Sequence, residues 1–426
     1  MVVEQKQPVQ EVASSAQAQA ETQSQEALQS SKNLQNGAQN GTQKDLQVEV
    51  LRIIAMLMIV ACHMIIHLNI RAHSFNMELL PAPGLRSALK FLVVQYGQVG
   101  VSIFFIISGY FLCRKTFRYR RVFAAWAQMF LYCIIVLAVT FIADCFGLLP
   151  ENLSNLLHGK ELAYTLLWNV TPFTYRSYWF MSAYLIMLMF MPFINILISH
   201  MTQRDHAMLL VLLASISLIP LYFGKNYTWN DIIYAIFGYL AGAFIAQYGS
   251  GIKKLTTKRL CACVAISTVL MLAFDYIASS GNKFVRVLTW DQQVHGGIGI
   301  LPMIIAMCIF ILVHRINMLR IKGLARTVIL RVSKATFGVY LLHEHMFIFV
   351  ALWTFVAWML PTTSSSALIV LLYAITLICT YAALSVVAVV IDLVIKPLSN
   401  RIALTLEHVA NCVCSVYKTD SQSKME

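Results

Sequence analysis

Charge is what this chain has least of. Only 12% of its 426 residues are Asp, Glu, Lys or Arg, while 59% are hydrophobic. No soluble fold of this size needs so much apolar surface. Acidic side chains are the scarcest: 19 against 32 Lys and Arg, for a formal charge of +13. The surplus does not indicate a nucleic-acid partner, because the basic residues stand in the connections between apolar runs. Zinc-ligand spacing is absent as well. The pairs Cys261/Cys263 and Cys412/Cys414 are too close for the usual sites, and no metal is expected. Cys62, Cys133, Cys308 and Cys379 stand inside apolar runs and read as buried fillers. No internal repeat relates the two halves, which many transporters carry.

Residues 1–48 contain no aromatic side chain at all. The stretch "SSAQAQAETQSQEALQSSKNLQNGAQNGTQ" is Gln-, Ser- and Ala-rich and cannot bury enough surface to fold alone. It also lacks the basic start and apolar centre of a cleaved signal peptide. A disordered cytoplasmic tail is expected there.

What is present is a series of apolar runs of roughly twenty residues, the length that spans a bilayer core. In lipid such runs are helices. Ten lie near 51–70, 90–113, 122–146, 178–199, 206–223, 230–248, 259–279, 296–314, 335–360 and 367–395. The expected fold is therefore all-α: a polytopic membrane protein of about ten transmembrane helices. With the N-terminus inside, the inner connections and the C-terminal end hold twenty Lys and Arg and the outer connections eight. The inner set includes "RKTFRYRR", Arg204, "KKLTTKR" and the run from Arg315 to Lys334. Basic residues near span ends favour the cytoplasm, so both termini are expected there. The outer connection from Phe146 to Ser177 carries "NLSNLLHGKELAYTLLWNV", which has helix-like apolar spacing. It reads as an interfacial helix that seals the outer face, or as a lid over an acceptor.

The first run, "EVLRIIAMLMIVACHMIIH", holds Arg52 and His63. Eleven residues advance a helix by about 1100°, about 20° past three turns, and by about 16 Å. The two side chains share one face, one at the cytoplasmic edge and one deep in the membrane. A cation at the mouth can hold a phosphate, and a deep imidazole can act as a general base. A ligand that reaches both has an anionic head and a long thin arm, the shape of coenzyme A. The plainer readings are a positive anchor at the start of a span and a satisfied core histidine. His63 and His67 are also four apart, as paired ligands on a helix are, but no carboxylate or cysteine follows nearby.

Two further stretches carry polar groups into spans. In "GQVGVSIFFIISGYFLCRKTF", Ser108, Gly109 and Tyr110 precede Arg114 at the cytoplasmic face, where Arg114 lies level with Arg52. Small residues there also serve helix packing. In "SKATFGVYLLHEHMF", His343, Glu344 and His345 fall at a depth like that of His63, and Tyr340 lies one turn below. Three such groups need a polar cavity or one another. Glu344 can orient His63 as the carboxylate does in a His–Asp pair, or it ties spans together as a structural His–Glu pair.

Taken in order, Arg52-x10-His63, "FFIISGYFLCR", "YWFMSAYLIMLMFMPFIN", "IFGYLAGAFI" and "TFGVYLLHEH" resemble the acyltransferase-3 family of bacterial integral-membrane O-acyltransferases. The resemblance covers residues 49–398, expected as one membrane domain, and leaves 399–426 as a short cytoplasmic tail. His345 stands where the family pattern has an uncharged residue such as Asn, and no role is assigned to it. The resemblance implies a multi-pass protein of the bacterial plasma membrane. It implies transfer of an acyl group, most often acetyl, from cytoplasmic acetyl-CoA or another acyl-CoA to a hydroxyl of a surface polysaccharide or its lipid-linked precursor. On that reading His63 is catalytic, with Glu344 or His343 orienting it or a sugar hydroxyl. Arg52 and Arg114 hold CoA phosphates, with Ser108, Gly109 and Tyr110 beside them. Tyr340 and Trp179 are candidates against the substrate, although Trp179 and Tyr178 also suit an interfacial aromatic belt. The rival reading is a transporter or flippase of a lipid-linked sugar.

Overall fold

A backbone N–H or C=O left unpaired in lipid is costly, so an apolar chain closes its hydrogen bonds within each segment. The computed structural model follows this rule. It describes residues 46–68, 83–173, 178–217, 231–252, 255–279, 299–318, 320–360 and 366–423, and these form helices and no strand. The chain divides into Met1–Leu46 and one compact unit, Gln47–Glu426. Nearly all of the tail expected over 1–48 lies outside the described residues.

Three long helices come first: α1 (Leu46–His67), α2 (Pro83–Leu112) and α3 (Tyr119–Cys145). The next connection holds α4 (Glu151–Ser154), a 3-10 turn (Asn155–Leu157) and α5 (Gly159–Val170). Then follow α6 (Trp179–His200), α7 (Gln203–Ile216), α8 (Asp231–Ile252), α9 (Thr257–Ser279) and α10 (Ile300–His314). The series closes with α11 (Gly323–His343), α12 (Met346–Met359) and α13 (Ser366–Ser423).

Seven of these helices (α1, α2, α3, α6, α8, α9 and α13) are long and apolar enough to cross a bilayer, and α11 with α12 makes an eighth if the pair is one crossing. The expected fifth and eighth spans are present as α7 and α10, of 14 and 15 residues, shorter than the roughly twenty a crossing takes. The rest of those two expected spans, 218–223 and 296–298, lies outside the described residues.

The expected ninth span, 335–360, is not one helix. α11 ends at His343, α12 begins at Met346, and their axes meet at 91°. Glu344 sits at the end of α11, and its N–H still bonds the Tyr340 carbonyl at 3.3 Å. His345 then turns extended, at φ −66° and ψ 134°, and its Nδ1 accepts the N–H of Phe347 at 3.4 Å. An imidazole thus does at the start of α12 what Asn or Asp does at ordinary helix starts. The chain leaves the helix after Glu344, where His345 finds partners off the axis of α11.

α2 is central, packed against α8, α9 and α10, while α13 packs against α3 and α11. A Cβ on Gly109 would collide with the Tyr239 carbonyl, and one on Gly242 with the Ile106 carbonyl. α2 and α8 therefore meet backbone to backbone, as small residues permit in lipid. Large apolar side chains face outward on the perimeter, among them Val139, Phe193, Ile266 and Leu393. Cys62, Cys133 and Cys308 are buried as expected, but Cys379 faces outward. The helix expected in the Phe146–Ser177 connection is divided at His158–Gly159, where Gly159 takes φ +57°. That left-handed conformation suits glycine and interrupts any helix.

Candidate functional site

The histidine pair of α1 meets the end of α11. Nδ1 of His63 lies 2.8 Å from Nε2 of His343 and 2.9 Å from Oε1 of Glu344. Nε2 of His67 lies 3.2 Å from the same Glu344 oxygen. His343 is fully buried, and its Nδ1 is 2.6 Å from the Val339 carbonyl one turn back. These contacts fix the tautomers. A carbonyl only accepts, so Nδ1 of His343 carries a proton and its Nε2 is a bare acceptor in the neutral ring. Both neighbours of His63 Nδ1 are then acceptors, and that nitrogen must donate. Nε2 of His63 is left with its lone pair. The side chain of His63 is 15% exposed, so the ring is not fully buried.

His63, His67 and Glu344 also place one ligand atom each within 4.8 Å of one another. This is a His–His–carboxylate donor set of the kind that holds zinc. The sequence held the spacing of the two histidines and lacked a nearby carboxylate; α11 brings that carboxylate from 277 positions away. The separations are also those of hydrogen bonds: one N–H of His63 is shared between His343 and Glu344, and His67 reaches the same Glu344 oxygen.

The outer connection is tied to the same break. Nε2 of His345 lies 2.9 Å from Oδ1 of Asn169 on α5, and both side chains are buried. Asn169 Nδ2 donates to the Thr165 carbonyl at 2.8 Å and reaches the Met346 sulfur at 3.4 Å. His345 therefore has a place, between α5 and the start of α12. Tyr178 is no belt residue: it is buried, and its hydroxyl donates to the Leu341 carbonyl at 3.0 Å. Trp179 begins α6, half-buried, with its ring 6.2 Å from that of Phe180.

A cavity of about 450 Å³ lies below, between α1, α2, α3, α6, α11 and α13. Its wall includes Arg52, Ser108 and Tyr340. The Tyr340 ring is 5.9 Å from that of His343, so this residue stands between the cavity and the histidines. Its buried hydroxyl has no hydrogen-bond partner among the described residues. Arg52 is held by Glu49, at 3.0 Å, and the other Glu49 oxygen accepts from Ser333 Oγ at 2.5 Å. The sequence signal for Glu49 was its place three residues before Arg52, which puts both on one helix face.

Three residues expected beside Arg52 are elsewhere. Arg114 is exposed and donates to the Ala246 carbonyl at 3.0 Å, at the end of α8. Gly109 packs on Tyr239, and the Tyr110 hydroxyl lies 3.2 Å from Nε2 of His314 on α10. Successive residues on a helix point about 100° apart, so the Ser108 side faces the cavity while the next two face α8 and α10.

Neither the curated proteins nor the solved structures contain a match to this chain. A family model described as an acyltransferase domain, acyltransferase-3, matches residues 45–385, which takes in α1, the cavity and the His–Glu cluster. The chain is thus a multi-pass membrane acyltransferase and belongs to the acyltransferase-3 family.

Proposed function

We propose that this acyltransferase moves an acyl group, acetyl in the first instance, from cytoplasmic acyl-CoA to a hydroxyl of a surface polysaccharide or its lipid-linked precursor in the bacterial plasma membrane. One observation carries the reading: Nδ1 of His63 lies against both Nε2 of His343 and Oε1 of the half-buried Glu344, which leaves Nε2 as the nitrogen with a lone pair to offer. That is the arrangement a general base needs.

Nε2 of His63 takes the proton from the acceptor hydroxyl as its oxygen attacks the thioester carbonyl carbon. The ring becomes cationic while Glu344 lies against its Nδ1–H. The tetrahedral centre collapses, the carbon–sulfur bond breaks, and the departing thiolate takes the proton from Nε2. Products are the O-acyl ester and the free thiol, and His63 is restored. A route through an acyl-histidine uses the same lone pair as nucleophile. The donor arm enters from the cavity that Arg52 lines and passes Tyr340, and the acceptor reaches His63 from the opposite, outer half. The end of the bundle at the cavity carries Arg118, Arg120, Arg121, Arg331 and Arg401, which favours the cytoplasm for that end.

The test is transfer of labelled acetyl from acetyl-CoA to saccharide acceptors by the purified protein, with His63→Ala beside it. The expected result is transfer by the unaltered chain and a loss of at least about a thousandfold in the variant, which keeps its folded helical signal. Near-normal activity in folded His63→Ala removes His63 from the chemistry. A comparison of ester groups on surface glycans with and without the protein identifies the acceptor.

A further inference from the structure

His63, His67 and Glu344 each offer one donor atom, and these atoms lie within 4.8 Å of one another. Oε1 of Glu344 is 2.9 Å from Nδ1 of His63 and 3.2 Å from Nε2 of His67. In a tetrahedral zinc site the bonds are about 2.0–2.2 Å long, so neighbouring ligand atoms stand about 3.3 Å apart. The two contacts to Glu344 therefore need to open by only about 0.1–0.4 Å to admit an ion. The two histidine rings sit one turn apart on α1 and are tilted by 46°, not stacked, so neither covers the other.

The rest of the surroundings suit a bound ion as well. The side chains of His63, His67 and Glu344 are 15%, 16% and 19% exposed, so an ion can reach them, while each is mostly covered. Glu344 brings one negative charge and cancels half of the charge of a divalent ion, which a site at membrane depth requires. Nε2 of His343 stands 2.8 Å from Nδ1 of His63 and offers a further neutral nitrogen for the open fourth position. Its ring is fixed by the Val339 carbonyl at Nδ1, the kind of outer contact that orients metal-binding imidazoles.

We propose that His63, His67 and Glu344 form a zinc(II) site, and that zinc bound there blocks the enzyme. The block rests on the acyltransferase reading above; the binding does not. An imidazole coordinates through a lone pair. Zinc at Nδ1 of His63 takes the place of the proton there, and that proton moves to Nε2, the nitrogen that has to accept from the hydroxyl. The proton of His67 moves in the same way from Nε2 to Nδ1. Two Zn–N bonds and one Zn–O bond form, three waters leave the hydrated ion, and neither ring gains or loses a proton. Zinc occupancy and base catalysis at His63 thus exclude each other. Imidazole ligands select zinc over magnesium and calcium, which prefer oxygen.

Binding is measured first, because it needs no acceptor and no turnover. Zinc is titrated into the purified, metal-free chain against a chelating dye. Cys412 lies 3.7 Å from His408 on an exposed part of α13 and offers zinc a second place, so the background is His408→Ala/Cys412→Ser. The expected result is one ion per chain, not displaced by magnesium, with nitrogen and oxygen ligands and no sulfur by X-ray absorption. His67→Gln keeps an N–H that can donate to Glu344 and so preserves the tie between helices, but its amide is a poor zinc ligand. Zinc affinity falls at least about a hundredfold in that variant, with Tm unchanged. Labelled acetyl transfer is then compared with and without zinc within each protein. Saturating zinc lowers it at least about a hundredfold in the background protein, reversibly with EDTA, and leaves the ratio near one in His67→Gln. Absence of binding, sulfur ligation or an unchanged affinity in folded His67→Gln overturns the site. Full transfer at saturating zinc, or transfer that requires zinc, overturns the block. Zinc binding as described in a protein that transfers no acetyl even when metal-free upholds the site and counts against the acyltransferase chemistry alone.

Discussion

Glu344→Gln changes one charge and almost no volume, and so isolates what the carboxylate does. Oε1 of Glu344 accepts from His63 Nδ1 at 2.9 Å and from His67 Nε2 at 3.2 Å. Glutamine can still present one carbonyl oxygen to both donors, so the helices stay tied and the His63 tautomer survives. What is lost is a negative charge against a ring that becomes positive in the transition state. Two unit charges about 4 Å apart at an effective dielectric near 20 attract by about 4 kcal/mol. Only part of that charge has developed at the transition state, so about 3–4 kcal/mol is the expected loss, or roughly 10²–10³ in kcat. KM for donor and acceptor should hardly move, because neither substrate is charged near Nδ1. Initial rates of labelled acetyl transfer at saturating donor, with Tm of the purified variant in detergent, supply both readouts. An unchanged Tm with kcat within about threefold of the parent refutes the reasoning, because the carboxylate would then be only a strut. A loss expressed wholly in KM refutes it as well.

Three further outcomes follow from the same geometry. Arg52→Ala should weaken CoA binding about ten- to a hundredfold, whereas Arg114→Ala, whose guanidinium serves the Ala246 carbonyl away from the cavity, should leave it unchanged; titration of CoA into both variants checks the contrast. Tyr340→Phe removes a buried hydroxyl with no hydrogen-bond partner among the described residues, so Tm should stay level or rise, while kcat/KM falls about tenfold if the substrate is what satisfies that hydroxyl; a lower Tm with full activity contradicts this. For sidedness, His158→Cys in the outer connection should react with an impermeant thiol reagent on intact cells and Thr257→Cys should not, in a background without reactive native cysteines; both positions are exposed, and the reverse pattern inverts the topology.

Which parts of this site were legible in the chain depends on whether the partners lie on one helix. Helical periodicity relates positions within a segment and says nothing about which segments touch. It placed Arg52 and His63 on one face, and it put His343 and Glu344 at a matching depth. Both inferences agree with the contacts between α1 and the end of α11. Glu49 was equally within reach, three residues before Arg52, and the reason to look was the arginine's need for a counter-ion. The other partners of Asp392 were not within reach. Lys396 is one turn away, but Gln128 and Tyr132 stand 264 and 260 positions from Asp392, and no local pattern joins them. Arg114 shows the converse error: equal depth was taken for a common site, although depth leaves the direction around the helix axis open. Gly109 was read with both possibilities in view, and its close contact with Tyr239 selects packing.

The break after His343 was the feature least visible from composition, because neither glycine nor proline marks it. Those residues end helices by what their backbone can or cannot do. Here the side chains do it. His345 takes Asn169 with one nitrogen and caps Phe347 with the other, which commits the chain to a turn. Glu344, at the corner, still follows α11 and faces α1. A straight helix through 335–360 would carry residues 343 and 345 about 200° apart around its axis, with only one facing α1 and the other facing away. His343 and Glu344, the last residue of α11 and its cap, reach His63 from before the bend, while His345 turns to Asn169. The contacts of His345 thus account for the bend, and the end of α11 just before it brings a carboxylate and an acceptor imidazole to one nitrogen of a histidine that periodicity had already set deep in the membrane.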